Sequence, residues 1–458
     1  MEYISFDPQN VKVVGEYDLI IVGGGTAGAI AAISASQEGV NTLVIEQFGA
    51  LGGSGTNGLV TPVMPSGVCG NPEYCSISKK IFNKMESYGF AIEDIEESWH
   101  KDWFDPMMMK FVLEELCVEA GCNILYYTVL VDVIKEEEKI KYVIVKNKNG
   151  LSAYSAKCFI DCTGDGDLAY LSGVPMESGN HKGLNQAVSL RFQMTNIDLE
   201  RFGLYLESIG QKKDTRYPFL HTAAVTGGKW PLYELFLEKF AEGYLGKTEI
   251  TYFQAFSLPG KPRDLAFNCP ELGQNKNVID AWYMSRKQIE GKKSIMRLTA
   301  FLKKFVPGFE EAYLCDVAAM LGVRESRRII SDYYLKTEDL LSYKKFADGI
   351  AKSNYPVDIH GDEGAEGLVY KDISDNEKYY EIPFRSLVPV KIENLVVAGR
   401  CMGADFIAQS STRVQHTCRA TGEAAGIAAV LFIKEGTIFR NIDGSKIRNI
   451  MVSRGVDL

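Results

Sequence analysis

Apolar runs broken by glycine set the outline of the chain. Leu19–Val22, with Tyr17 ahead of it, stops at Gly23-Gly24-Gly25; an Ala-rich stretch, Ala29–Gln37, then runs to Gly39, and a second apolar run covers Asn41–Ile45. Such an order predicts strand, helix and parallel strand, because the strands of a covered parallel sheet are apolar on both faces. Val11–Val14 predicts a short edge strand in a lead-in, residues 1–16, without evident chemistry. Ile77–Tyr88 and Met107–Ala120 carry apolar positions at helical spacing, the second opened by Asp105-Pro106 and stopped by Gly121. The Met107–Met109 run fits gap-filling core. Asn123–Lys135, Lys139–Lys146 and Ser152–Lys157 predict an antiparallel meander, and Lys157–Cys162 one more short buried strand.

The pattern loosens after residue 175, with longer irregular spans and many Tyr and Phe. A strand is predicted at Gln186–Met194 and helices at Pro231–Glu242 and Ala281–Phe305, the last stopped by Pro307-Gly308. Towards the end the opening pattern returns: Ile392–Arg400 predicts a buried strand, and Val414–Phe432 a helix whose small residues demand close packing against the first strand-helix-strand unit. The expected fold is therefore α/β: a Rossmann-like domain with a parallel sheet and an antiparallel meander, residues 1–175 and 385–458, around an inserted α+β substrate domain, residues 176–384.

The spacing Gly23-x-Gly25-x-x-Gly28 between strand and helix is a dinucleotide fingerprint, with Glu46 placed at the end of the second strand to bind a ribose diol. Alone it admits NAD or FAD. The loop Gly49–Gly58 is rich in glycine, with Ser54 and Asn57 as hydrogen-bonding groups, and suits backbone lying against a bulky ligand. Thr163-Gly164-Asp165-Gly166-Asp167 ends a strand beside that unit; its acidic pair reads as turn and cap chemistry, and no metal site is expected.

Within the inserted segment, Arg324, Arg327 and Arg328 surround Glu325, a set that can hold an anionic substrate or brace two domains. Further on, Tyr355-Pro356-Val357-Asp358-Ile359-His360 predicts a short strand with Asp358 and His360 on one face, a histidine oriented by a carboxylate as a general base.

Composition narrows the classes. Hydrophobic content of 46% and charged content of 24% are ordinary for a globular protein, and a net charge of -9 argues against general nucleic-acid or anionic-membrane binding. Ten cysteines show no zinc spacing. Cys69 and Cys75 enclose five residues, which leaves a redox disulfide open there. MEYISFDPQN has neither a basic nor an apolar leader region, and no apolar run reaches membrane-spanning length. A reduced, cytoplasmic enzyme is the expectation.

Taken together, GGGTAG at 23–28, GGSGTNG at 52–58, IDCTGDGD at 160–167, GVRESRRI at 322–329, YPVDIH at 355–360, IPFRSLVP at 382–389, NLVVAGRCMGAD at 394–405 and the closing RVQHTCRATGEAAGIAA resemble the bacterial FAD-dependent oxidoreductase family. That family is similar to flavoproteins of the glutathione-reductase-type, fumarate-reductase-flavoprotein-like FAD fold. The resemblance implies non-covalent FAD, since no histidine stands beside the GGSG loop, and disfavours a disulfide reductase, since no C-x-x-x-x-C follows the second strand. By motif, Gly23, Gly25, Thr26, Ala27 and Gly28 would line the pyrophosphate, and Glu46 with Gln47 the adenosine ribose. Gly52, Gly53, Ser54, Asn57 and Gly58 would lie along the ribityl or flavin side, and the Leu130 backbone, Thr163 and Gly164 along the adenine half. Gly399 and Arg400 would approach the ribitol, and the helix start at Ser411, Arg413 and Val414 the pyrimidine edge. The activity implied is two-electron exchange between flavin N5 and a small polar organic substrate, with His360 and Asp358 as acid/base and Arg324, Arg327 or Arg328 as anion holders. An electron-transfer subunit and a non-catalytic FAD-binding sensor or assembly protein are the rival readings. The implied partners are a small-molecule substrate and an electron donor or acceptor, with no nucleic acid and no membrane, and with homo-oligomerisation open.

Overall fold

The computed structural model describes residues 10–64, 74–90, 103–226, 230–361 and 378–458. The first unit runs β1 (Lys12–Val22), α1 (Thr26–Ser36), β2 (Thr42–Ile45), α2 (Ser76–Ser87), α3 (Pro106–Glu119), β3 (Asn123–Leu125), β4 (Val129–Glu136), β5 (Lys139–Asn147), β6 (Gly150–Asp161) and α4 (Asp167–Leu171). The middle of the chain holds β7 (Met176–Ser178), β8 (Phe192–Thr195), α5 (Leu199–Ser208), β9 (His221–Val225), α6 (Tyr233–Ala241), α7 (Lys247–Thr251), β10 (Tyr252–Leu258), β11 (Lys261–Phe267), α8 (Ala281–Phe305), β12 (Tyr313–Val317) and β13 (Arg327–Ile329). It closes with α9 (Thr337–Leu341), β14 (Gly349–Ser353), β15 (Tyr380–Pro383), β16 (Leu395–Val397), α10 (Phe406–Thr412), α11 (Gln415–Glu435) and α12 (Gly444–Ser453).

The first sheet has the order β3-β2-β1-β6-β5-β4, with β16 also pairing β6. Its parallel part is β1 with β2 and β6, β2 with β3, and β6 with β16. The meander is not a separate attachment. Ser152–Lys157 and Lys157–Cys162, expected as two strands, are one strand, β6, which pairs β1 along its length, β5 along its first half and β16 along its last residues. Likewise Val11–Val14 is the start of β1, and Asn123–Lys135 breaks at Tyr127, whose φ of 53° turns the chain from β3 into β4.

Helices α1 and α11 pack backbone to backbone over this sheet. A Cβ at Gly422 would lie 2.3 Å from the Ala27 carbonyl oxygen, so only glycine permits the approach. The small-residue pattern of α11 is thereby explained, and β16 with α11 carries the chain's end back to the opening unit.

The second unit is a five-stranded antiparallel sheet, β12-β8-β11-β10-β9. Phe192, Phe253 and Phe267 from its strands pack with Phe301 of α8 and with Phe309 in a core of their own. Helix α8 opens where the Asp280 side chain accepts the Tyr283 N–H. This second core draws on residues 188–321 together with Leu59, whereas Leu335, Leu340, Ile350, Tyr380, Ile382 and Phe384 belong to the first core with Leu19 and Val396. The boundaries expected after residues 175 and 384 thus do not coincide with the change of core. The chain has returned to the first core before residue 384, because Leu335, Leu340, Ile350, Tyr380, Ile382 and Phe384 pack in it with the residues of α11.

No helix among the described residues is long and apolar enough to cross a membrane, and no cluster of metal-ligating side chains occurs among them. Cys69 lies outside the described residues, while Cys75 is buried, its thiol pushed up by burial and by the charge of Glu423.

Candidate active site

The turn after β1 is shaped by contacts that exclude side chains. Gly23 has φ of 91°, and a Cβ there would lie 2.5 Å from the Cys162 carbonyl oxygen; at Gly28 it would lie 1.9 Å from the carbonyl oxygen of Gly23. At Gly25 the nearest atom would be 3.8 Å away, an ordinary van der Waals contact, and the residue lines the cleft. Helix α1 starts there with no side-chain cap and no acidic residue in its first turn, which leaves its N–H groups for an anion. Thr26 Oγ1 donates to the Gly52 carbonyl at 3.1 Å, and Gly25 bridges Gly52, so the second glycine loop is held against the helix start. Ala27, Gly53 and Ser54 line the resulting cleft together with Thr163, Gly164, Gly399 and Arg400.

Glu46 sits buried at the end of β2 as expected, and its two oxygens accept the N–H groups of Gly24 (2.7 Å) and Phe48 (2.8 Å). Burial raises its pKa against the pull of those bonds. The other residues expected at the cofactor stand in varied places. Gln47 is exposed, and Leu130 stands opposite Val145 in the meander, outside the cleft lining. Asn57 donates to the Ala50 carbonyl at 3.2 Å and accepts the Ala319 N–H at 2.9 Å, tying the glycine loop to the second unit. Gly58 packs beneath Ser54, and Ser411 is buried, donating to the Tyr355 carbonyl. Arg400 reaches Asp165 at 2.7 Å and Ser326 at 3.1 Å, holding the Thr163–Asp167 turn against the β16 turn. Thr163 Oγ1 is spoken for as well, donating to Asp161 and accepting the Asp167 N–H. At the far end of the cleft, α11 begins after Val414 without a side-chain cap, and Val414 and Gln415 face the opening. Two uncapped helix starts and the cleft-lining backbone at Gly25 and Gly53 offer N–H donors of the kind that FAD requires, so the residues fit it.

Across the cleft stands a wall of alternating charge. Arg324 Nη1 donates to the Ala187 carbonyl at 2.7 Å, and its Nη2 lies 3.7 Å from Glu271 Oε2. That oxygen is 2.7 Å from His360 Nδ1; His360 Nε2 is 3.0 Å from Asp358 Oδ1, and Asp358 Oδ2 accepts from Arg413 Nη2 at 3.0 Å. The Tyr355 hydroxyl donates to the same Asp358 oxygen at 3.2 Å, and the Tyr252 ring meets the imidazole edge-on with centroids 5.3 Å apart. Burial alone would raise both carboxylates; the His360 hydrogen bonds and the guanidinium charges outweigh it and hold Asp358 and Glu271 below the usual carboxylate range.

Three expectations change here. Asp358 and His360 lie on extended chain outside any strand. Both ring nitrogens of His360 lie within hydrogen-bond distance of carboxylate oxygens, so acting as a base would require one of those contacts to open first. Of the three arginines, only Arg324 lines the cleft. Arg327 pairs with Asp167 and covers the Tyr170 ring at 4.4 Å. Arg328, 2% exposed, pairs with Glu325 and donates to the Ala404 carbonyl at 2.9 Å. Adjacent on β13, they leave on opposite faces: Arg327 braces the Thr163–Asp167 turn, and Arg328 ties Glu325 to the Ala404 carbonyl.

Sequence reasoning missed Arg191, Tyr252, Asn268 and Glu271, all contributed by the second unit. Only Arg191 left a signal: a lone charge in the apolar run Gln186–Met194.

Among proteins of known function, thiamine thiazole synthases are similar to part of the chain. The one from Methanococcus vannielii is 32% identical over 157 residues, covering 32% of this chain and 56% of its own length, and one from Methanococcus maripaludis is 30% identical over the same span. The chain thus spans little more than half the length of the curated relatives it matches. Similar solved structures include a p-nitrophenol 4-monooxygenase from Pseudomonas putida (10% identity, TM-score 0.49, covering 96% of this chain and 84% of that one). The flavin-dependent brominase Bmp2 is another (12% identity, TM-score 0.46, covering 96% and 83%). The sequence profile of the FAD dependent oxidoreductase family matches residues 18–451, and the chain belongs to that family, with FAD as its cofactor.

Proposed function

We propose that the chain is a two-electron FAD-dependent oxidoreductase of the glutathione-reductase-type arrangement, acting on a small polar organic substrate in the cleft between the two cores. One observation carries this reading: the linked wall Arg324–Glu271–His360–Asp358–Arg413 faces the cleft opposite the glycine turns that fit FAD. The adenosine half would lie by Gly23–Gly28 and Glu46, and the flavin end towards the α11 start, Gly53 and Ser54. Bound FAD supplies hydride exchange with a carbon of the substrate. Arg324 and Arg413 orient the polar end of that substrate, and their fixed positions limit its motion. His360 is held by both ring nitrogens; when one carboxylate contact opens, the freed nitrogen is the group that would meet a substrate oxygen or nitrogen and exchange a proton with it. Tyr252 and Trp103 close the apolar side of the cleft and reduce access of water.

Anaerobic stopped-flow mixing of the FAD-loaded protein with hydroxy, amino and saturated acids, followed by reoxidation with oxygen or quinones, tests the proposal. At least one class should bleach the flavin, and Arg324→Met should slow bleaching by about 100-fold. Bleaching that His360→Gln and Arg324→Met leave unchanged would remove the wall from the chemistry.

A further inference from the structure

We infer that the substrate is a small organic carboxylate and that Arg191, on the wall of the second unit, is the seat of its carboxylate group. The inference rests on reading the cleft as the substrate chamber and deepens that reading by one chemical class.

Arg191 immediately precedes β8, and its carbonyl accepts the Ala318 N–H at 2.9 Å, which fixes its backbone beside β12. Its side chain lines the cleft, yet among the described residues it makes no ion pair, and Nη1 is buried without a hydrogen-bond partner. Burial, reinforced by the like charges of Arg324 and Arg413, pulls its pKa down to about 9, which leaves it protonated at neutral pH. Arg324 and Arg413 are themselves tied to Glu271 and Asp358. Three guanidinium groups thus meet two carboxylates, and His360, bonded through both nitrogens, adds no negative charge. The cleft carries an excess of positive charge, and its unmatched member is Arg191.

A buried cation without a partner is poor value for folding, since the desolvation of the ion is not offset. A planar fork of donors facing a cavity matches a carboxylate. Two more unmatched atoms lie on the same cleft: Arg413 Nε has no acceptor and Asn268 Oδ1 no donor. Asn268 Nδ2 is already committed to Gln254 Oε1 at 2.8 Å and the Tyr252 hydroxyl at 3.2 Å, so Oδ1 is the group left to accept from a ligand. A carboxylate that also bears a hydroxyl or amino group satisfies the guanidinium groups and the amide oxygen together.

The test is equilibrium binding to the oxidised, FAD-loaded protein, read by calorimetry and by the flavin difference spectrum. The probes are lactate, alanine, lactamide and sodium chloride, with Arg191→Met, Arg191→Lys and unaltered protein. Lactate or alanine should bind, lactamide should bind at least about 30-fold more weakly, and Arg191→Met should weaken the carboxylate by a similar factor while FAD content stays the same. Arg191→Lys should recover part of that loss. Lactate and alanine affinities within about two-fold in Arg191→Met would overturn the inference, as would chloride competing at equal concentration, which would mark a halide site. A flavin midpoint potential shifted in Arg191→Met with carboxylate binding intact would assign the guanidinium to the flavin instead. If neutral donors bleach the flavin but neither acid binds, the oxidoreductase reading stands and this one fails.

Discussion

The two sides of the cleft are built by opposite means. On the FAD side, backbone does the work: Gly23 and Gly28 let main chain pack on main chain, Gly25 lines the cleft, and the starts of α1 and α11 offer N–H groups without capping side chains. On the wall side, side chains do it: Arg191, Tyr252, Glu271, Arg324, His360 and Arg413 come from separate stretches and meet only in the folded molecule. A backbone cradle tolerates little at Gly23 and Gly28, because a Cβ there collides with main chain that cannot move. A side-chain wall tolerates each change locally, but its members share charge and so fail together.

The contrast predicts the largest effect at Gly28. Gly28→Val puts atoms into the Gly23 carbonyl, and purified protein should carry no FAD; flavin released by heating and quantified by fluorescence checks this. Wild-type flavin content in that variant would mean that the turn does not hold the cofactor. Next comes Glu271→Ala on the wall, which leaves His360 and Arg324 without their shared acceptor. We expect a loss of about 3–5 kcal/mol in urea unfolding, with FAD still bound by the protein that remains folded.

Acid sharpens the comparison further. Burial lowers His416 on the cradle side and His221 on the wall side from 6.5 to about 4. The unfolded chain therefore binds more protons than the folded one between these values. Stability should fall as pH drops from 6.5 towards 4, by up to about 3 kcal/mol for each histidine. The lowered carboxylates Glu271 and Asp358 act at the acid end of that window and below it: what they contribute is complete above their ordinary values of 4.5 and 3.8 and is lost as pH falls beneath them. Urea midpoints of wild type and His416→Gln across pH 4–7 separate these contributions; an identical slope for both proteins would contradict the assignment to His416. The smallest effect belongs to Tyr355→Phe, which removes one donor from Asp358. It should cost about 0.5–1.5 kcal/mol, because Arg413 and His360 still hold that carboxylate.

The same contrast explains what could be read from the sequence. Strand, glycine turn, helix and acid are contiguous from Tyr17 to Glu46, so Gly23, Gly25, Gly28 and Glu46 could be placed from local pattern. The return of β16 and α11 to that unit followed from the small residues of α11, which need a close partner. The continuity of β6 was hidden because a single strand changes neighbours midway, and neither hydrophobicity nor turn residues mark the exchange. Arg327 and Arg328 were grouped with Arg324 by adjacency, although the backbone sends them to different surfaces. Glu271 and Tyr252 carried no local sign at all: Tyr252 opens β10 and Glu271 follows β11, and the fold of the second unit brings both to His360, a non-local juxtaposition that periodicity does not encode.

The most direct test of the account is a crystal structure of the protein purified with its flavin. It should show the diphosphate at the Gly25 turn beneath the start of α1, and the isoalloxazine ring between the start of α11 and the wall, with its N5 edge open to Arg191, Arg324 and His360. A ring turned away from that wall, or shielded from it by protein, would contradict the account.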